Sequence, residues 1–319
     1  VPPPQATADL YSTLQRYELL LVTAGRRLWR RMAPDNFDGS WAQIAPQMVA
    51  FTSGAQLAAA QAATTYVPAV LDETGQPDRP EARVRPQAFA GVASDGRSLA
   101  GLLEGAVVAS KRAATTRTYV ETVGSLRTRT TVPGLDGGDA LALGQKWLEQ
   151  ALQTAVADAM RDATQAELLV RPQVGYVRMV NPPCCSRCAV LAGKWYRSND
   201  IMPRHPGCDC LLIPSTENMA GTFRIDPSAL ARRGLINDLS ANQRKRIADG
   251  ADLPKVLNES RDRWRERMAA DRRATKAASK RQQWAGAEPG QAATVHDFMA
   301  HLTNRVDVLN KMRAAGIAD

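Results

Sequence analysis

All five cysteines of this 319-residue chain fall between positions 184 and 210, and no other stretch constrains its folding as strongly. A disulfide framework spreads cysteines along a small secreted chain, whereas a tight cluster in a long one is the pattern of a local metal site. The spacing agrees: Cys185-x2-Cys188, then sixteen residues, then His205-x2-Cys208-x-Cys210. A Cys-x2-Cys turn brings two thiolates close enough to share one tetrahedral ion at roughly 2.3 Å each. His205-Pro206-Gly207-Cys208 can do likewise, because Pro and Gly let the backbone fold tightly round the metal. Two such knuckles close a Cys3His zinc site.

Six donors compete for four places. The expected ligands are Cys185, Cys188, His205 and Cys208. Cys210 rivals Cys208, since alternate residues of an extended segment share a face. Cys184 adjoins Cys185, has to point elsewhere, and is expected to be a small buried hydrophobe. Four protein ligands leave no open position for water, so the Zn2+ is expected to be structural, with no catalytic residue. A thiol hydrolase reading, with Cys185 or Cys188 as nucleophile and His205 as base, has the right residue types. It does not account for the further candidate ligands alongside. No His-Glu-x-x-His, Walker A loop, Gly-x-Gly-x-x-Gly or Gly-x-Ser-x-Gly occurs. The zinc deaminase pattern also fails, for want of a His-x-Glu.

Around this cluster the chain reads as mainly α. Its composition, 44% hydrophobic and 23% charged, excludes wholesale disorder, and no run of about 18 apolar residues suggests a membrane span. Apolar positions at helical spacing predict helices over 6–32, 41–66, 98–115 and 140–169, with Asp139 capping the last. A Pro- and Gly-containing loop separates the second from the third, and residues 133–138 form another. The first half is thus expected to be nearly all helix. Near Pro172 the pattern changes, with strands expected at 176–180, 194–197 and 211–214 and the cysteines in the turns between them. Short helices follow, begun by Asp226 before Pro227 and by Ser240, and Gly250 ends the second. The expected architecture is a helical N-terminal domain (1–170), a small zinc-stabilised α+β module with short helices (171–254), and a helical basic C-terminal region (255–319).

That last region carries much of the charge. The chain has 41 Lys and Arg against 32 Asp and Glu, net +9; residues 255–285 alone carry ten against four, net +6. Arg261 to Arg281, with Trp264 and Trp284, can neutralise phosphates and stack on bases without reading sequence. A solvated helix laced with ion pairs explains the same residues. A final amphipathic helix, 295–315, is expected to group Phe298, Leu302, Val306 and Leu309, with His296 and His301 as surface or packing residues.

The run Asn181-Pro182-Pro183-Cys184-Cys185-Ser186-Arg187-Cys188, then Leu191-Ala192-Gly193, then Arg204-His205-Pro206-Gly207-Cys208-Asp209-Cys210, resembles the Mu F-like minor capsid (head morphogenesis) proteins of tailed bacteriophages. Their hallmark is a Cys-x2-Cys, a Leu-x-Gly turn and a His-Pro-x-Cys-x-Cys before a Pro. Gly234-Leu235-Ile236, Leu239-Ser240, 248–253 and Val256-Leu257-Asn258 resemble the segment that follows the hallmark. The resemblance covers about residues 172–258. It implies a non-enzymatic virion protein in the capsid interior, assembled in the host cytoplasm. It implies contacts with the portal protein and the inner surface of the major capsid protein, and with packaged DNA through Arg261 to Arg281. A zinc-containing DNA-binding or DNA-modifying protein is the rival expectation.

Overall fold

A computed structural model describes residues 2–123, 126–259 and 305–319. The described residues are mainly helical, with two small antiparallel sheets. Helix α1 (Gln5–Trp29) buries Leu10, Leu14, Leu21 and Leu28, the face its spacing predicts. Helix α2 (Phe37–Glu73) begins at Asn36, whose side chain accepts a hydrogen bond from the Gly39 N–H. It runs beyond the expected 41–66 at both ends and contains Pro46 and Pro68. An interior proline costs about 3 kcal/mol. Val67, Val70 and Leu71 are fully buried around Pro68, each worth about 1.5–3 kcal/mol, so packing carries the helix through. Helix α3 (Leu99–Ala114) starts at Ser98, as expected.

The first half departs from expectation between α3 and the next helix. Strands β1 (Arg117–Val123) and β2 (Leu126–Val132) pair antiparallel, from Arg117 with Val132 to Val123 with Leu126. The signal was local: two runs rich in Thr and Val, which favour strands, flank Gly124-Ser125. Helix α4 (Gly137–Leu169) then begins at Asp136, not Asp139; the Asp136 carboxylate accepts from the Asp139 N–H at 3.0 Å. The Gly137-Gly138 pair expected in a loop therefore forms the first turn. A Cβ at Gly137 would sit 2.3 Å from the Pro34 carbonyl oxygen, so only glycine lets this turn approach the α1–α2 connection.

Helix α4 is the axis of the molecule. It packs against α1, α2 and α3, and on a three-stranded sheet. Every residue from Ala155 to Leu169 is buried, where the sequence suggested a single apolar face. The charged ones are tolerated because they are paired inside: Arg161 with Asp158, and Arg171 with Glu167 and Asp78.

The sheet has the order β4-β3-β5, with β3 (Gly175–Met179) between β4 (Trp195–Tyr196) and β5 (Leu211–Ser215). These are the three strands the sequence predicts. Val177 pairs with Trp195 on one side and Ile213 on the other. Both β3 and β5 are buried along their length, because β5 lies against α1, α2 and α4. Bundle and sheet consequently share one contiguous core, from Leu10 and Leu14 through Leu152 to Tyr176 and Ile213. Tyr66 of α2 joins them, donating to the Leu212 carbonyl at 2.8 Å and lying 2.9 Å from the Thr7 hydroxyl.

Helices α5 (Ser186–Leu191), α6 (Pro227–Arg232) and α7 (Ala241–Ala248) follow. Asp226 and Ser240 cap α6 and α7 as predicted, Ser240 in a reciprocal capping box with Gln243. The basic run Arg261 to Arg281, with Trp264, Trp284, Phe298, Leu302 and both terminal histidines, lies outside the described residues. The C-terminal helix Arg305–Ala314 buries Val308, Leu309 and Met312, while Val306, expected on that face, is 60% exposed. Its end returns to the 83–85 segment, where Asp319 N–H donates to the Arg83 carbonyl and Arg85 N–H to that of Ile317.

Candidate metal centre

The first knuckle begins where β3 ends. Cys185 is the N-cap of α5, its sulfur accepting from the Cys188 N–H at 3.4 Å. One helical turn thus sets the two sulfurs side by side; the sequence suggested a simple turn here. The segment 235–238 pins this knuckle from outside. Cys184 N–H donates to the Leu235 carbonyl, and Asn237 N–H to that of Cys184. Asp238 takes the Ser186 N–H at 2.7 Å and its hydroxyl at 2.9 Å. Nothing local in the sequence announces the role of Asp238, 52 positions away.

The second knuckle is held against α4 and α1. Arg204 pairs with Asp158 at 3.0 Å and Asp162 at 2.9 Å. Gly207 N–H donates to Thr154 Oγ1, and Arg161 donates to the carbonyls of Cys208 and Cys210. Tyr11 and Asn181 hold Asp209. Gly207, at φ +72°, makes the turn that returns the Cys208 N–H to the His205 carbonyl at 3.0 Å.

Two triads result, each with its ligand atoms within 4.8 Å of one another: Cys185, Cys188 and His205, and Cys188, Cys208 and Cys210. Either can hold a metal ion, and Cys188 belongs to both. His205 Nε2 lies 3.2 Å from Cys185 Sγ and 3.4 Å from Cys188 Sγ, while Cys188 Sγ is 3.7 Å from Cys208 Sγ. The edges of a tetrahedral sulfur and nitrogen site are about 3.6–3.8 Å, from bonds of about 2.0–2.3 Å. His205 Nδ1 meets the Pro206 carbonyl at 2.9 Å, which places the proton on Nδ1 and leaves the Nε2 lone pair facing the sulfurs. An imidazole nitrogen nearly equidistant from two sulfurs suits a shared ion better than a base serving one nucleophile. All five expected ligands are therefore in the cluster, and Cys184 is buried beside it, outside both triads, with burial first and Cys185 second pushing its thiol up to about 11.

Cys188, Cys208 and Cys210 are buried together. Hydrogen bonds from Cys188 and Cys210 hold Cys208 well below the usual thiol range. Cys188 is pushed up, first by its hydrogen bond to Cys208 and then by that to Cys210. Cys210 rises to about 12, the contact with Cys188 pulling it down against the Cys208 contact and burial. Above the trio lies Arg178, on β3, 1% exposed. Its Nη2 donates to Cys188 Sγ at 3.2 Å and approaches Cys208 Sγ at 3.8 Å, and its Nη1 donates to the Pro203 carbonyl. Burial alone disfavours the guanidinium charge; the sulfurs of Cys210, Cys188 and Cys208 outweigh it and raise its pKa. No protein-family model, curated protein or solved structure matches the chain.

Proposed function

We propose that the cluster binds one structural Zn2+ and that the chain is a minor capsid, or head morphogenesis, protein of a tailed bacteriophage. The observation that carries the metal half is that two separately pinned knuckles bring five donors into two triads sharing Cys188, with His205 Nε2 3.2 Å and 3.4 Å from two sulfurs and Cys188 Sγ 3.7 Å from Cys208 Sγ. Thiolate and imidazole donors suit zinc over hard ions such as Mg2+ or Ca2+. Bound there, zinc would supply a cross-link between α5 and the 204–210 loop; Cys185, Cys188 and His205 would hold it, with Cys208 or Cys210 closing the set. The virion half rests on the Cys-x2-Cys and His-Pro-x-Cys-x-Cys resemblance. The proposed partners are the portal protein and the inner surface of the major capsid protein, with packaged DNA reached through Arg261 to Arg281.

Metal analysis of the chain, purified under reducing conditions from zinc-replete medium, tests the first half: one zinc per chain is expected, and none overturns it. Co-expression with portal and major capsid proteins tests the second. Co-sedimentation with assembled heads is expected. A chain that stays out of heads and binds one DNA sequence selectively is instead the zinc-containing DNA-binding protein.

A further inference from the structure

We propose that the β1–β2 hairpin is the surface through which two copies of this chain associate. Their β1 strands pair antiparallel about a two-fold axis at Val120, giving the strand order β2-β1-β1-β2. The inference is independent of the metal and virion readings above. The hairpin stands on a tight base, where Leu135 N–H donates to the Ala113 carbonyl at 2.9 Å and Gly134 N–H to Thr116 Oγ1 at 3.3 Å. Beyond that base, among the described residues, no backbone hydrogen bond joins either strand to anything but the other. The described side chains are exposed on both faces: Thr118, Arg129 and Thr131 on one, Arg117, Thr130 and Val132 on the other. A two-stranded ribbon exposed in this way is marginal in water, and three or more strands are needed for stability. Yet both strands are seven residues long, paired at every position and rich in Thr and Val, which favour strands. A further strand on one edge supplies what the ribbon lacks.

The charges along the two edges select the strand and the partner. Any strand edge can pair with its own copy about a two-fold axis, because alternate residues turn N–H and C=O outward. On β2, the register that pairs all seven residues, 126–132, sets Arg129 directly opposite its own copy. Moving the axis to Thr128 sets Arg127 opposite Arg129 instead. Like charges directly opposite are destabilising, and charged residues on an outer strand are a common device against edge pairing. On β1, the register that pairs all seven residues, 117–123, is centred on Val120, which meets its own copy. Thr118 then falls opposite Thr122, and Arg117 lies on the diagonal to the second copy's Glu121, twice by symmetry. Diagonal neighbours are about 7–8 Å apart, within reach of long side chains, and opposite charges there attract. The β1 edge therefore attracts a second copy of itself where the β2 edge repels one.

The test is the mass of the full chain by sedimentation equilibrium under reductant, over a wide range of concentration; a dimer is expected. Glu121→Arg turns both diagonal attractions into repulsions and is expected to weaken dimerisation about tenfold, and the charge swap R117E/E121R to restore it. Arg129→Glu, on the other edge, is expected to leave it unchanged. Val120→Cys reads the register directly. Residues opposite one another in an antiparallel pair have Cα atoms about 4.5–5.5 Å apart, within the span of a disulfide. V120C is expected to form an inter-chain disulfide with oxidised glutathione, while Thr118→Cys, which faces Thr122, and the wild type with its five native cysteines are not. A monomeric wild type overturns the proposal. So does a dimer that E121R leaves intact, or one that T118C cross-links as readily as V120C. The wild-type mass and the two cysteine variants keep the proposal falsifiable should E121R fail to fold.

Discussion

Cys188→Ser removes the one sulfur common to both triads, so it strikes the centre whichever cysteine closes it. The lost sulfur lies 3.4 Å from His205 Nε2 and 3.7 Å from Cys208 Sγ, and a hydroxyl oxygen neither ionises as readily nor bonds zinc as well. Structural zinc is bound with roughly 10–16 kcal/mol, or about 2.5–4 kcal/mol for each of four ligands. At about 1.4 kcal/mol per decade, the dissociation constant should rise by two to three orders of magnitude. The assay is equilibrium competition with a chromophoric chelator at neutral pH under reductant, with far-UV circular dichroism confirming that the helices persist. Cys184→Ser is the control, since Cys184 is buried beside the cluster but belongs to neither triad; its zinc affinity should stay within about threefold of wild type. A C188S chain that binds zinc within tenfold of wild type would refute the shared-ligand geometry.

Three further substitutions probe how the bundle presents the site. Tyr66→Phe leaves the Leu212 carbonyl and the Thr7 hydroxyl without their phenol partner and should cost about 1–3 kcal/mol, read as a lower urea midpoint; an unchanged midpoint would show that the link between α2 and β5 is dispensable. Gly137→Ala places a methyl against the Pro34 carbonyl, so despite alanine's helix preference it should destabilise by about 1–3 kcal/mol in the same assay, and a more stable variant would contradict the close approach. Burial raises Glu18 to about 7, against an opposing pull from Arg161. The folded state therefore holds this proton more tightly than the unfolded chain, and stability declines as pH rises from about 4.5 to 7, by roughly 3 kcal/mol at most. Glu18→Gln should flatten that decline, giving its largest gain over wild type above pH 7 and little near pH 4; equal gains at both would show that Glu18 does not titrate as described.

The cysteine cluster was legible because its chemistry is local. Two Cys-x2-Cys-like knuckles with Pro and Gly in the second need only short-range geometry, and the structure brings all five expected donors together. The same holds for the three strands, the caps at Asp226 and Ser240, and the buried stripe of α1. The β1–β2 hairpin was also written locally, in its Thr- and Val-rich runs, and went unrecognised beside the stronger helical pattern. Other features had no local signature. Helix α4 is buried on all sides because helices and a sheet surround it, and its charged residues survive there through partners such as Asp78, 93 positions from Arg171. Asp238 clamps the first knuckle from 52 positions away, and Arg204 ties the second to Asp158 and Asp162. Arg178 reads in sequence as an ordinary strand residue; only the packing of β3 under the cluster turns its guanidinium onto Cys188 and Cys208, 10 and 30 positions distant. Donor types and spacing are written in the sequence, but the charge balance around them depends on which buried groups meet across the core, and that only the tertiary structure decides.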